Sequence, residues 1–229
     1  MLEVYRLGRQ PYAVVLELQR WFRRARQQGR CPDRLILVEH EPVITLGRRA
    51  TLDHVLVDAR TLAVRGIELH AVERGGDVTF HGPGQLVGYP IIHLRERRIA
   101  GPRRYVWMLE EVLIRTLAEY GVRAFRRSGF IGVWTERGKI AAIGVSISRG
   151  VTMHGFALNV HPDLEAFKLI IPCGLDDRRV AALAQWKGDR IVWSQLEHHL
   201  IAHFARLFGY QTVRLSSMVP RQATMEEST

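Results

Sequence analysis

The chain has 229 residues, 47% of them hydrophobic, with 33 Lys and Arg against 23 Asp and Glu for a formal net charge of +10. That length and composition suit one buried core, and two cysteines are too few for a disulfide framework. No apolar run approaches the roughly 18 residues of a membrane-spanning helix, and the opening Met1-Leu2-Glu3-Val4-Tyr5-Arg6 has no signal-peptide pattern, so a cytoplasmic protein that does not engage membranes is expected.

The excess positive charge suits nucleic acid, an anionic membrane or acidic proteins. The arginines are spread over residues 20–30, 95–104 and 123–127 without a nucleic-acid recognition motif, so no nucleic-acid partner is expected and a solvated basic surface is the ordinary reading.

In chain order, Val4–Leu7 reads as a first strand. Pro11 opens a helix whose apolar positions, Val14, Val15, Leu18, Trp21, Phe22 and Ala25, run to Gly29. Arg34–Glu39 is a strand with Leu35 to Val38 apolar on both faces, and Val43–Leu46 is a shorter one. Asp58 caps a short helix through Val64 that Gly66 closes. Ile67–Val72 and Leu86–Ile92 read as strands joined by a long loop, Arg74–Gln85. Pro102 starts a helix carrying Tyr105, Val106, Leu109, Val112, Leu113 and Leu117, stopped by Gly121. Three strands follow, Gly132–Thr135, Lys139–Ser148 and Val151–Val160, and then a helical turn over Asp163–Phe167. Ser194 with Glu197 matches a capping box for a last helix ending by Gly209. The expected architecture is a single α/β domain over 1–215, with a mixed, largely antiparallel sheet flanked by helices, and a disordered polar tail over 216–229.

The loop Arg74–Gln85 concentrates the chemistry. It holds four glycines and Pro83, so its backbone can take conformations closed to other residues, and Arg74, Thr79, His81 and Gln85 supply polar groups suited to a ligand. Cys173 lies between Pro172 and Gly174. A cysteine is usually buried and inert, but these neighbours argue for a loop where a thiol is accessible. Lys139 opens an apolar strand after a turn, where a solvated edge lysine is the ordinary reading. Gly132…Gly138-Lys139 has the wrong spacing for a phosphate loop, and Ile140 stands where that motif needs Ser or Thr. His40, His81, His154 and His161 are scattered at strand ends, weak grounds for a metal site.

Taken together, these segments resemble the octanoyl (lipoyl) transferases. The signature is Arg74-Gly75-Gly76-Asp77-Val78-Thr79-Phe80-His81-Gly82-Pro83-Gly84-Gln85, with Phe80 where tyrosine is common. In the same order follow matches at His40-Glu41-Pro42, Thr45–Arg48, Gly138–Gly144, His154–Asn159 and Pro172–Gly174. The resemblance implies a fold like the catalytic domains of biotin- and lipoate-protein ligases. It also implies transfer of an octanoyl group from octanoyl-acyl carrier protein to a lysine of lipoyl domains, those of 2-oxoacid dehydrogenases and of the glycine cleavage H protein. Cys173 would be the acyl-thioester nucleophile and Lys139 its partner. Arg74, Gly75, Gly76, Asp77, Val78, Thr79, Phe80 and His81 would line the acyl site with Ala142, Ile143, Gly144, Gly155, Phe156 and Ala157. Ala141 is a further small residue expected to leave room for the chain, and the amides of Gly75, Gly76 and Gly174 are candidates for holding an oxyanion. No metal or other cofactor is expected. The alternatives are an ATP-dependent lipoate or biotin ligase on the same scaffold, an amidotransferase moving octanoyl between lipoyl carriers, and a basic nucleic-acid-binding protein.

Overall fold

Leu35, Ile36, Leu37 and Val38 leave no face of their strand fit for water, so it must lie within a sheet covered on both sides. The computed structural model, which describes residues 1–171 and 179–216, has that arrangement. Its main sheet is built from β1 (Leu2–Gln10), β2 (Asp33–His40), β6 (Gln85–Ile91), β7 (Phe125–Arg127), β8 (Phe130–Thr135), β9 (Gly138–Ser148), β10 (Val151–Asn159) and β11 (Val213–Ser216). The order is β11-β1-β2-β6-β10-β9-β8-β7. The β11-β1-β2 pairs are parallel and the pairs from β2 to β7 antiparallel, so the sheet is mixed and largely antiparallel. A second sheet, β4-β3-β5, consists of β3 (Val43–Leu46), β4 (Glu68–Ala71) and β5 (Val78–His81).

Helices cover both faces of the main sheet. On one lie α3 (Gly101–Ala118) and α5 (Trp193–Phe208), whose Leu109, Val112, Leu113, Leu200 and Phe204 join Leu35, Leu37 and Leu158 in the larger core. On the other, α1 (Tyr12–Gln27) packs Val15, Leu18 and Phe22 on Ile36, Val38 and Ile91. Each such fully buried side chain contributes about 1.5–3 kcal/mol of transfer free energy. The small sheet has its own apolar cluster with Leu62 of α2 (Ala59–Val64), Ala166 and Ile170. Among the described residues no helix is long and apolar enough to cross a membrane.

Local signals worked where they were self-contained. The Asp58 carboxylate accepts from Thr61 N–H at 2.8 Å, the expected cap of α2, and Pro102 lies in the first turn of α3. Four expectations need correction. Arg74–Gln85 is not one hairpin loop: Val78–His81 forms β5, which pairs with β3, and the strands flanking the stretch belong to different sheets. The Ser194/Glu197 capping box is absent. The helix already begins at Trp193 without a side-chain cap, and Glu197 pairs with Arg6 of β1 at 3.2 Å. The edge strands β7 and β11 and the short helix α4 (Ala184–Lys187) are additions. Lys139 is not on an edge strand, because β9 lies between β10 and β8.

Candidate active site

The glycine loop is held by a second loop that follows β3. Arg48 N–H donates to Arg74 O, Arg49 N–H to Gly76 O and Gly47 N–H to Asp77 O, at 3.0 to 3.2 Å. Arg74 is buried, and its guanidinium donates to Thr45 Oγ1 and Thr45 O, the latter at 2.6 Å. This contact makes the arginine a brace between β3 and the loop. The approach leaves no room for side chains: a Cβ on Gly47 would lie 2.5 Å from Gly76 O, and one on Gly144 would lie 2.9 Å from Gly75 O. Gly75 N–H donates to Val145 O at 2.9 Å, which fastens the loop to β9. Its amide is therefore engaged in the backbone, correcting its assignment as an oxyanion donor.

Between β5 and the β6-β10-β9 part of the main sheet this packing leaves a cleft of about 510 Å³, including the space at its mouth. Its walls combine Arg74, Gly76, Asp77, Val78, Thr79 and His81 with Lys139, Ala142, Ile143 and Gly144 of β9 and Gly155, Phe156 and Ala157 of β10. Thirteen of the sixteen residues assigned to the site from sequence thus meet at one cavity. Phe80 does not: its ring packs edge-on against Phe167 within the small-sheet cluster, with centroids 5.6 Å apart. Gly75 lines an adjoining groove instead. Cys173 lies outside the described residues. Ala141, expected to make room for substrate, is fully buried in the larger core.

Tyr12, Val87, Tyr89 and His154 also line the cleft, none of them among the residues expected there. Carbonyl oxygens only accept, so the contact of His40 Nδ1 with Gln10 O at 3.1 Å places a proton on Nδ1. His40 Nε2 then accepts from the Tyr89 hydroxyl at 2.8 Å. By the same reasoning His81 Nδ1–H donates to Gln85 Oε1 at 3.0 Å, while the Gln85 amide donates to Phe80 O and Asn159 Oδ1. His81 Nε2 is left as an acceptor. Burial lowers the pKa of His40 to about 4 and that of His81 to about 3, the nearby His40 reinforcing the latter, so both rings are neutral at pH 7. Burial also pushes the Tyr12 phenol up to about 12. Tyr12, His81 and Tyr89 therefore give the cleft lining an aromatic, uncharged part. His154 adds a strained element, with φ at +58° inside β10 and its N–H donating to Gln19 Oε1 at 2.9 Å. Its ring Nε2 stands 3.8 Å from Glu73 Oε2, beyond hydrogen-bonding range. Three of the four scattered histidines thus surround or support the cleft, whereas His161 packs on Trp193. Among the described residues no group of three or more His, Cys, Asp or Glu side chains is arranged to hold a metal ion.

The cationic side of the site comes from Lys139. It is half-buried, with Nζ 5.7 Å from the centroid of Trp134. Its backbone is gripped on both sides, since Lys139 N–H donates to Arg179 O at 2.9 Å and Lys139 O accepts from Ala181 N–H at 3.0 Å. At the other end of the 172–178 stretch, Ile171 N–H donates to His54 O at 2.8 Å, and His54 Nδ1 lies 2.6 Å from the Asp77 carboxylate. The flanking residues Arg179 and Ile171 are therefore bonded to Lys139 and to a neighbour of the glycine loop. Cys31 is half-buried beside Arg26 and Asp33, and burial raises its thiol pKa.

Residues 11–205 match the lipoyl protein ligase A/B catalytic domain family. An octanoyltransferase of Acidobacterium capsulatum is 48% identical, the match covering all of both chains, and one of Gloeobacter violaceus is 50% identical over 89% of each. Among solved structures, lipoate-protein ligase A bound with ATP superposes with a TM-score of 0.75 at 15% identity, over 99% of this chain and 94% of that one. At that identity the likeness shows a shared fold, and the ligase alternative has only this distant relationship behind it. With a family match over most of the chain and relatives near 50% identity over nearly all of it, the protein belongs to the lipoyl protein ligase A/B catalytic domain family and, within it, to the octanoyltransferases.

Proposed function

We propose that this acyltransferase takes an octanoyl group from octanoyl-acyl carrier protein, holds it as a thioester on Cys173, and passes it to a lysine of a lipoyl domain, with Lys139 moving the protons. The observation that carries the reading is that Lys139 and the glycine loop form walls of the same cleft. The anchoring of the chain at Ile171 and Arg179 on either side of the 172–178 stretch supports pairing the cysteine with the lysine.

The chemistry follows from the residue types. A thiol of pKa near 8.5 is only a few per cent thiolate at neutral pH, and a neighbouring ammonium favours the ionised form. The thiolate attacks the donor carbonyl, the new carbon–sulfur bond replaces the one to the carrier arm, and that arm leaves as a thiol with a proton supplied by the lysine. The acceptor amine then attacks the enzyme thioester, loses a proton to the lysine, and forms an amide as the cysteine sulfur departs. Exchange between thioesters is near balance and amide formation is downhill, so the sequence runs without ATP. The Gly76 amide is retained as the described oxyanion candidate, and Ala142, Gly144, Gly155 and Ala157 keep the walls small enough for an alkyl chain. The acceptors are lipoyl domains of 2-oxoacid dehydrogenases and the glycine cleavage H protein, and a +10 surface raises the encounter rate with acidic partners.

Incubation with octanoyl-loaded carrier protein and weighing of the intact chain tests the mechanism. An octanoyl adduct is expected on the wild type, none as a thioester on Cys173→Ser, and strongly slowed transfer with a retained fold for Lys139→Met. A serine variant that transfers at the full rate would remove Cys173 from the chemistry, and normal kinetics for the methionine variant would remove Lys139.

A further inference from the structure

Beside the acyl cleft, on the outer side of Lys139, runs a second and wider depression of about 1450 Å³, including its open space. Gly76, Lys139, Ile143 and Gly144 line both cavities, so these four residues form the threshold between them. One wall of the outer groove is apolar, with Val106 and the half-buried Phe130 and exposed Ile131 of β8. The facing loop supplies Arg48 and Arg49, both exposed, and neither has an ion-pair partner among the described residues. Their backbone amides are fixed by bonds to Arg74 O and Gly76 O, so the glycine loop positions the origins of both side chains.

A long, mostly apolar arm carrying one anionic group fits that shape. Two consecutive arginines on a braced loop suit phosphate oxygens, since a guanidinium offers charge-assisted, bidentate hydrogen bonds. We propose that the outer groove receives the phosphate-bearing pantetheine arm on which the donor thioester is carried, with Arg48 and Arg49 as the contacts for its phosphate. Resting on the acyl-transfer reading above, this inference adds that the enzyme recognises its donor by the arm as well as by the acyl chain. The anionic end of the arm lies toward the arginines and its sulfur toward Lys139, which orients the scissile bond at the threshold. A lysine acceptor carries no phosphate, so the arginines discriminate donor from acceptor in a groove that both must approach.

Two donors test this: octanoyl-4′-phosphopantetheine and octanoyl-pantetheine, which differ only in the phosphate. Acylation of the full-length protein is followed by intact mass. The wild type is expected to favour the phosphorylated donor by about tenfold in kcat/KM, a 1.4 kcal/mol effect suited to charge-assisted contacts at an exposed site. In the Arg48→Gln/Arg49→Gln double variant the preference should fall close to unity, and Arg48→Lys/Arg49→Lys should restore part of it. Thermal melts of each variant guard against a folding defect. An undiminished preference in the glutamine variant, or none in the wild type, overturns the assignment of the groove. Failure of both donors to acylate the wild type refutes the acyl-transfer reading instead, and this inference with it.

Discussion

Replacing Gly144 by alanine tests how closely the glycine loop is moulded onto β9. A Cβ there would stand 2.9 Å from Gly75 O and 3.0 Å from Arg74 Cδ, where ordinary contacts begin near 3.4 Å. Gly75 must then move by roughly half an ångström, and it is backbone, fixed to Val145 O by a 2.9 Å hydrogen bond. Overpacking of this kind costs about 1–3 kcal/mol. For a chain of this size each kcal/mol lowers the melting temperature by about 2–4 °C, so a fall of about 2–12 °C is expected. Activity should suffer more, since misplacing groups around a reacting centre by about 1 Å can cost on the order of a hundredfold. The predicted result is an acyl-enzyme formation rate at least about tenfold lower, measured by intact mass well below the melting temperature. Gly66→Ala is the control: its Cβ meets nothing within 4 Å, although φ is +63°, so it should lose some stability and no activity. A Gly144→Ala protein with unchanged rate and melting temperature would refute the tight seating of the loop.

Two further predictions concern stability. His40 and His81 titrate at about 4 and about 3 in the fold, below an unfolded value near 6.5, so the unfolded chain binds more protons across that interval. Their contribution is complete above about pH 6.5 and is lost as pH falls toward those values. Thermal melts should decline with acidification over this window, and a His40→Gln variant should show a shallower decline; identical slopes would argue against a neutral buried ring. Asp33 is buried and accepts from Arg26 Nε at 2.8 Å, Tyr210 Oη at 2.8 Å and His93 N–H at 3.0 Å, with Arg97 Nε at 3.2 Å. Asp33→Ala strands these donors and should cost about 3–5 kcal/mol in urea unfolding while leaving octanoyl adduct formation in the folded protein intact, whereas a loss below about 1 kcal/mol would contradict the network.

What the sequence revealed depended on the range of the interaction involved. Apolar runs such as Leu35–Val38 and the Asp58 cap are decided within a few residues, and they were legible. Glu197 escapes a local reading because a three-residue spacing says nothing about Arg6, 191 positions earlier, which takes its carboxylate. Val78–His81 reads as loop in the sequence because glycines flank a four-residue segment whose extended form depends on pairing with β3. At the site, motif residues such as Thr79, Lys139 and Gly155 were found because they stand in recognisable strings, whereas Tyr12 stands in none. Its place at the cleft follows from α1 crossing β6 and β10, and its ring contacts with His40 and His81 belong to the folded chain. Arg74 stands in the expected place with a different task, since hydrogen bonds to Thr45 engage a guanidinium expected to grip a ligand.

The double backbone grip on Lys139 limits where this fold can be cut. The bonds that fix the residue come from Arg179 and Ala181, so a fragment ending before them would contain the lysine without these two restraints. Chain length upstream cannot replace those restraints. The registration of the ammonium is written some forty residues downstream of the ammonium itself, and a split or permuted version of the protein would have to keep both pieces together to retain it.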